Sequence, residues 1–312
     1  MLARSWGLQY SILLETSTGY HLGVASRVPI ELEQAMRGPP FHHGYVLVRV
    51  GGVRLCVTHL SPFSAAHRLR EAHALLALER AASPRRGFAL VGDLNSLSPL
   101  DAAEHAASGL LTTLSADAGL TRKFLVSTPA PVVGTAADAS SEAATPAATP
   151  AGGGGMMAAL FGGGGGDEVR GVPAPPNPTF EIDYAPLEAF LDSGFVDAGY
   201  ITSVSAASAD AVSAQHDAEA VSGAEAAAAG GAQAAAAGGA GGRPGPGLHN
   251  HSVPTLVNTD VMHAAQMRLD YALLSPALAR RCSVRSWLAR DEQTERLSDH
   301  YPLLTELDCD DW

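Results

Sequence analysis

Cysteine is scarce: Cys56, Cys282 and Cys309 are the only three. None pairs in a CxxC spacing, and three isolated cysteines make neither a disulfide framework nor a thiolate metal site. The compartment expected from that usage is reducing and intracellular. No uninterrupted apolar run reaches the roughly 20 residues a membrane-crossing helix needs. Residues 1–10 hold Arg4 and Trp6 but no long apolar stretch, so no secretory signal is read there. Aromatic residues are only 6% of the chain, and much of the 46% hydrophobic content is alanine, which adds little bulk to a core. Positive charge is short as well, with 20 Lys and Arg against 32 Asp and Glu and a net charge of -12. That balance excludes a protein that coats duplex DNA nonspecifically, because such binding depends on Lys and Arg displacing counterions. It leaves open a phosphate substrate, nucleic acid included, held in a locally basic cleft.

What is abundant is glycine, 33 residues, and proline, 20 residues. Many fall in two low-complexity inserts, 128–178 and 204–247, rich in Ala, Gly, Ser, Thr and Pro. Such segments cannot bury enough apolar area to offset ordering entropy and are expected to be disordered. The remaining parts, 1–125, 180–203 and 253–308, are expected to form one domain of about 200 residues, enough for a proper core. Tyr20–Ala25, Tyr45–Val50, Val53–Thr58, Phe88–Val91, Asp270–Leu274 and Leu303–Leu307 read as strands. Gly51-Gly52 is the turn of a hairpin. Ser64 caps a helix to about Ala82, ended by Pro84, with an apolar stripe of Leu69, Ala72, Leu75, Leu76 and Leu78; Arg68, Arg70, Glu71 and Arg80 face elsewhere. Pro186 opens a shorter helix that Gly194 closes. Strands mixed with helices and a hairpin predict an α/β (α+β) sandwich of two mixed β-sheets flanked by helices in four layers.

Four segments place a polar, titratable residue at the edge of an apolar strand: Val57-Thr58-His59-Leu60, Gly92-Asp93-Leu94-Asn95, Arg268-Leu269-Asp270-Tyr271 and Ser298-Asp299-His300. A lone Ser-Asp-His is more often an ordinary turn, and a lone Gly-Asp-x-Asn an ordinary strand exit. In this order, together, they resemble the endonuclease/exonuclease/phosphatase superfamily, as do Ser26-Arg27-Val28-Pro29 and Gly194-Phe195-Val196-Asp197. The resemblance implies a metal-dependent phosphoesterase acting on a phosphodiester or phosphomonoester, in a nucleic acid or a small phosphorylated metabolite or lipid. It implies Mg²⁺, with Mn²⁺ as the alternative, and a phosphate-ester substrate as partner. The protein is expected to be a monomer without a membrane span.

By the same resemblance, Asp93 orients or deprotonates the attacking water, and Asn95 holds that carboxylate or a phosphate oxygen. His300 donates to the phosphate, with Asp270 fixing its tautomer. Asp299 is the expected metal ligand, and His59 and Arg27 contact the phosphate. The family also carries an Asn on its first strand and a metal-binding Glu on its next. Both precede a helix whose end corresponds here to residues 2–7, so the expectation is a chain that starts after them. Glu15 imitates the strand-end Glu but is read as a solvated loop residue. The alternative reading is therefore a catalytically incomplete member serving as a binding or regulatory module. His42-His43 reads as a polar loop, His249-Asn250-His251 as a chance match to a nuclease motif, Cys56 as a core residue, and His263 and Arg268 as loop or cleft-lining residues. The glycine runs lack the Lys-Ser/Thr of a phosphate loop.

Overall fold

The apolar alternation around Gly51-Gly52 does make the centre of the fold. In the computed structural model, which describes residues 2–81, 87–128, 179–202, 251–257 and 265–309, both glycines have positive φ, 55° and 84°, and close a hairpin. Along the chain come α1 (Leu2–Ser5), β1 (Tyr10–Leu14), β2 (Leu22–Ser26), β3 (Ile30–Met36), β4 (Tyr45–Val50), β5 (Val53–Thr58), α2 (Ala65–Arg80) and β6 (Phe88–Asp93). Three short helices follow: α3 (Ala102–Ala107), α4 (Leu110–Ser115) and α5 (Ala118–Phe124). Then come β7 (Leu125–Thr128), β8 (Thr179–Ile182), α6 (Ala185–Asp192), β9 (Val196–Asp197), β10 (Asp270–Leu274), β11 (Cys282–Leu288) and β12 (Leu303–Cys309).

The main body, residues 1–126 and 180–312, is built on a mixed six-stranded sheet of order β3-β4-β5-β6-β10-β9. β5 and β6 run parallel, joined through α2, and the other pairs are antiparallel. One face carries Tyr45, Leu47, Cys56, Leu90 and Leu273 against Ala72, Leu75 and Leu76 of α2 and Leu187 and Phe190 of α6. Cys56 is thus the buried core residue its alternation predicts. On the other face, Val46 and Val48 meet Leu14 and Leu22 of a β1–β2 ribbon, while Ala272 and Leu274 meet Val284, Leu303 and Leu307 of a β11–β12 ribbon.

The mixed α/β class is as expected; the second sheet differs from a continuous one. The two antiparallel ribbons cover opposite parts of the large sheet. Between the large sheet and β12 lies a cavity of about 220 Å³ whose lining includes Leu55, Ala89, Val91, Ala272 and Thr305. The cysteine reading is corrected here. Cys282 and Cys309 are register partners at the end of the β11–β12 ribbon and form a disulfide. They are 27 residues apart in sequence, and only the strand pairing brings them together.

The orientation of α2 is also corrected. Ser64 caps it as expected, accepting the His67 N–H at 3.3 Å, but Arg68 and Glu71 are fully buried. The buried stripe is Ala65, Arg68, Glu71, Ala72, Leu75 and Leu76, the regular helical spacing of one face. The Glu71 carboxylate accepts the backbone N–H of His42 at 2.7 Å and of Ser61 at 2.8 Å. Arg68 donates to Ser96 Oγ at 2.9 Å, to the Ser61 carbonyl at 3.2 Å and to the Lys123 carbonyl at 2.6 Å. α2 therefore ends in a polar anchor for three separate loops.

Of the second unit, residues 127–179, only Ser127, Thr128 and Thr179 are described, and the hydroxyls of Thr128 and Thr179 lie 2.7 Å apart. Apart from Thr128, the two inserts lie outside the described residues, as do Pro84, His249, Asn250 and His263.

Where β6 passes β5, close approach demands a glycine. Gly92 has φ +138°, and a Cβ there would sit 1.9 Å from the Thr58 carbonyl oxygen. Gly92→Ala should cost more than about 2 kcal/mol, combining a strained φ with a backbone clash. At this domain size the melting midpoint should fall by at least roughly 4 °C. A midpoint within about 1 °C of wild type would mean that the strand ends are not packed as described.

Candidate active site

β5 and β6 are parallel and β10 runs antiparallel to β6, so the ends of β5 and β6 and the start of β10 lie at one edge of the sheet. His59 follows β5, Asp93 ends β6 and Asp270 opens β10. Asp93 and Asp270 are direct register partners. His59 Nε2 lies 3.3 Å from Asp93 Oδ2. His300 Nδ1 lies 2.6 Å from Asp270 Oδ2. Five residues named from sequence, His59, Asp93, Asn95, Asp270 and His300, thus belong to one cluster.

Asn95 has φ 48°, the only positive value at a non-glycine among the described residues. Its backbone N–H donates to Asp93 Oδ1 at 2.7 Å, and its side-chain amide donates to the Leu60 carbonyl at 3.0 Å. Leu60 N–H in turn donates to the Asp93 carbonyl at 2.9 Å. Asn95 is buried and spends its amide on the loop after His59. It therefore ties the His59 and Asp93 segments together. Holding strained backbone this way is common where geometry must be fixed.

The second half of the cluster is set by Ser252. Its hydroxyl accepts the N–H of Leu269 at 3.0 Å and of Asp270 at 3.3 Å, and its carbonyl accepts the Tyr301 N–H at 2.8 Å. His251 beside it bonds Glu104 at 2.8 Å and has a pKa lowered to about 4, chiefly by burial and then by Arg290. Its ring is a structural anchor to Glu104. Arg268 is structural too: it is buried and paired with Asp101 at 2.7 Å and with Asp197.

Two expected residues stand apart. Arg27 is exposed on the turn after β2, and no hydrogen bond or ion pair links it to the cluster among the described residues. Asp299 is exposed, its Oδ1 accepting from Ser298 Oγ at 3.2 Å. Glu15 is exposed past β1. Among the described residues no group of three or more His, Cys, Asp or Glu is arranged to hold a metal ion. Mg²⁺ needs hard oxygen anchors, and this donor set does not fit one by itself.

The electrostatics separate the members. Burial, then the Asp270 charge, raises the Asp93 pKa to about 7, against the opposing pull of His300, the Asn95 N–H and Lys123. Burial lowers the His59 pKa to about 3, helped by His43, His300, Lys123 and His42. For His300, burial pulls downward, but the hydrogen bond and charge of Asp270, with Asp93 and Asp299, outweigh it and raise the pKa to about 9. At neutral pH, His300 is an imidazolium, His59 is neutral, and Asp93 is near its midpoint.

Sequence reasoning missed three contributors. His43 is 1% exposed and its ring stacks on His59, so the polar-loop reading of His42-His43 is wrong for this residue. Lys123 is buried, with its ammonium 4.9 Å from the Phe124 ring centroid, and its charge acts on both Asp93 and His59. Ser252 follows an insert and has no motif around it.

Because the His300 pKa is raised, from 6.5 to about 9, its pairing stabilises the fold fully below pH 6.5 and is lost as pH rises through 9. In metal-free protein, NMR should show the His300 imidazole titrating near 9 and, in Asp270→Asn, well below that. An unchanged titration in the variant would show that Asp270 does not hold the proton on His300.

No curated protein matches the chain in sequence. Among solved structures, it is similar to an AP endonuclease from Archaeoglobus fulgidus at 12% identity, covering 98% of this chain and 81% of that one, with a TM-score of 0.48. It is similar to the 3′-phosphatase NExo from Neisseria bound to a product DNA hairpin, at 13% identity, 99% and 82% coverage and a TM-score of 0.46. The 3′-5′ exonuclease NExo from Neisseria meningitidis gives 13% identity, 98% and 82% coverage and a TM-score of 0.47. Residues 5–300 match the model of the endonuclease/exonuclease/phosphatase family, with the His59, Asp93, Asp270 and His300 cluster inside that span, and the chain belongs to that family.

Proposed function

We propose that the protein is a phosphoesterase that hydrolyses a phosphodiester or phosphomonoester at the His59–Asp93–Asp270–His300 cluster. The observation that carries this reading is the 2.6 Å Asp270–His300 pair beside an Asp93 whose pKa is about 7. A base is most effective when its pKa lies near the working pH. Asp93 takes the proton of the attacking water as the water oxygen bonds to phosphorus; the P–O ester bond breaks on the opposite side, and the leaving oxygen takes its proton from solvent. His300, charged and bound through Nδ1 to Asp270, turns Nε2–H to the phosphoryl oxygens and stabilises the charge that grows there. Asp270 fixes that tautomer, the orienting logic of hydrolytic triads. His59, neutral, donates to Asp93 or to the phosphate. Asn95 positions Asp93. The described residues make no metal centre, so every step is assigned to side chains; Mg²⁺ or Mn²⁺ at Asp299 is a proposal for the assay to decide.

That incomplete donor set favours a second reading, a catalytically silent member that binds a phosphate ester or a regulatory partner. Steady-state hydrolysis of a bis-aryl phosphodiester, with Mg²⁺, with Mn²⁺ and with EDTA, separates the two. In an active protein, Asp93→Asn and His300→Ala should each lower kcat by about 10²- to 10⁴-fold, the usual worth of a positioned acid or base. Asp270→Asn should cost no more than His300→Ala, and the double variant should be far from additive. Additive losses would show that the two residues do not act as a pair. Wild-type rates in all variants, or no hydrolysis under any condition, would leave the binding module.

A further inference from the structure

His43 has a place in this cluster that the mechanism above does not use. Gly44, with φ +107°, passes so close to β3 that a Cβ would lie 2.2 Å from the Met36 carbonyl oxygen. The residue before it is turned inward, and His43 is 1% exposed. Its ring lies 4.1 Å from that of His59, centroid to centroid, with 26° between the planes. Tyr20 closes both rings edge-on, at 5.3 Å from His43 and 5.6 Å from His59. His42 lies edge-on to His43 at 4.4 Å.

The hydrogen bonds fix the ring further. Thr16 Oγ1 donates to the Tyr20 carbonyl at 2.9 Å. Its proton is thereby used, so the 2.9 Å contact between Thr16 Oγ1 and Thr18 Oγ1 has Thr18 as donor. The Thr18 oxygen is then free to accept, and His43 Nδ1, 2.6 Å away, is the N–H that donates to it. His43 Nε2 is left as a bare lone pair, buried and without a partner among the described residues. A buried nitrogen without a partner costs stability, so packing and hydrogen bonding must hold the ring where it is.

We propose that His43 is a positioning residue for phosphate-ester hydrolysis: stacked on His59 and tied to Thr18, it holds the His59 imidazole in the plane that directs Nε2 at Asp93. This rests on the reading of the cluster as a hydrolytic site. The stacked ring is also part of the burial that keeps His59 uncharged, since an imidazolium covered at 4.1 Å loses its hydration. Burial first, then His42, keeps His43 itself neutral, with its pKa lowered to about 4. The other titratable groups acting on His59 are His300, Lys123 and His42, with Asp93 opposite them.

The test uses the full chain. His43→Leu removes the stack, His43→Phe keeps a ring without nitrogens, and Thr18→Val cuts the tie while leaving His43 in place. In wild type, NMR should show His59 titrating far below its ordinary value, near pH 3. In His43→Leu, the His59 titration should move up toward its ordinary value, and kcat should fall by about ten- to a hundredfold, the scale of a roughly 1 Å misplacement, with KM little changed. Thr18→Val should shift both readouts in the same direction, and His43→Phe should recover part of kcat. A His59 titration and a pH–kcat profile unchanged in a folded His43→Leu, or in Thr18→Val should His43→Leu not fold, would overturn the proposal. If the wild type hydrolyses no phosphate ester, the reading of the site fails, while the His59 titration still decides whether His43 holds that ring.

Discussion

Two charges buried on one face of α2 hold the site together. Glu71 binds two backbone N–H groups in the loops before β4 and after β5, and Arg68 binds the Ser61 carbonyl, Ser96 and the end of α5. Burying charge is costly unless each polar atom is satisfied. Here the partners are the backbone and hydroxyl groups of the surrounding loops. The loops that carry His43, His59 and Asn95, and the helix end that carries Lys123, are all tied to the same turn of helix. Burial raises the Glu71 pKa, against the pull of the Ser61 and His42 N–H groups, and lowers that of Arg68 to about 10. Arg68 stays charged at neutral pH.

The other half of the cluster is held by β-pairing. Asp93 and Asp270 face each other across β6 and β10, and Ser252 joins the start of β10 to the His300 loop. The two imidazoles then take different protonation states from their surroundings alone, and the Asp93 carboxyl is lifted toward neutral pH. Asp270 has an imidazolium against it; Asp93 has burial, a neighbouring carboxylate and a neutral His59. Separating the pKa values of paired groups is how a site obtains an acid and a base at one pH.

What the sequence made legible was local. The β4–β5 hairpin, β10 and the Ser64 cap follow from alternation, glycine and capping chemistry within a few residues. The cluster was legible because each of its members sits within three residues of a strand end, inside a short motif. Arg68 and Glu71 were misread because their charge was allowed to outweigh their spacing: Ala65, Arg68, Ala72, Leu75 and Leu76 form one helical stripe, and Glu71 lies within it. The Cys282–Cys309 disulfide depends on the β11–β12 register, and β11, only partly buried and with Ser283, Arg285 and Ser286 among its seven residues, gives a weak strand signal. His43 lies in a loop, and its burial follows from the path of Gly44 against Met36, a tertiary contact that no local pattern encodes. Arg27 and Asp299 were placed by motif alone, and the fold leaves both in solvent.

Amide hydrogen exchange in Glu71→Gln tests the role of α2 most directly. The glutamine keeps one oxygen but turns an NH₂ donor toward one of the two N–H groups that the carboxylate had bound. Exchange at His42, Ser61 or both should accelerate markedly, while Leu90 and Ala272 in the central sheet keep their protection, since local openings and global unfolding are separable. Equal acceleration everywhere, or none at His42 and Ser61, would contradict the account that the buried charges of α2 hold the loops of the cluster.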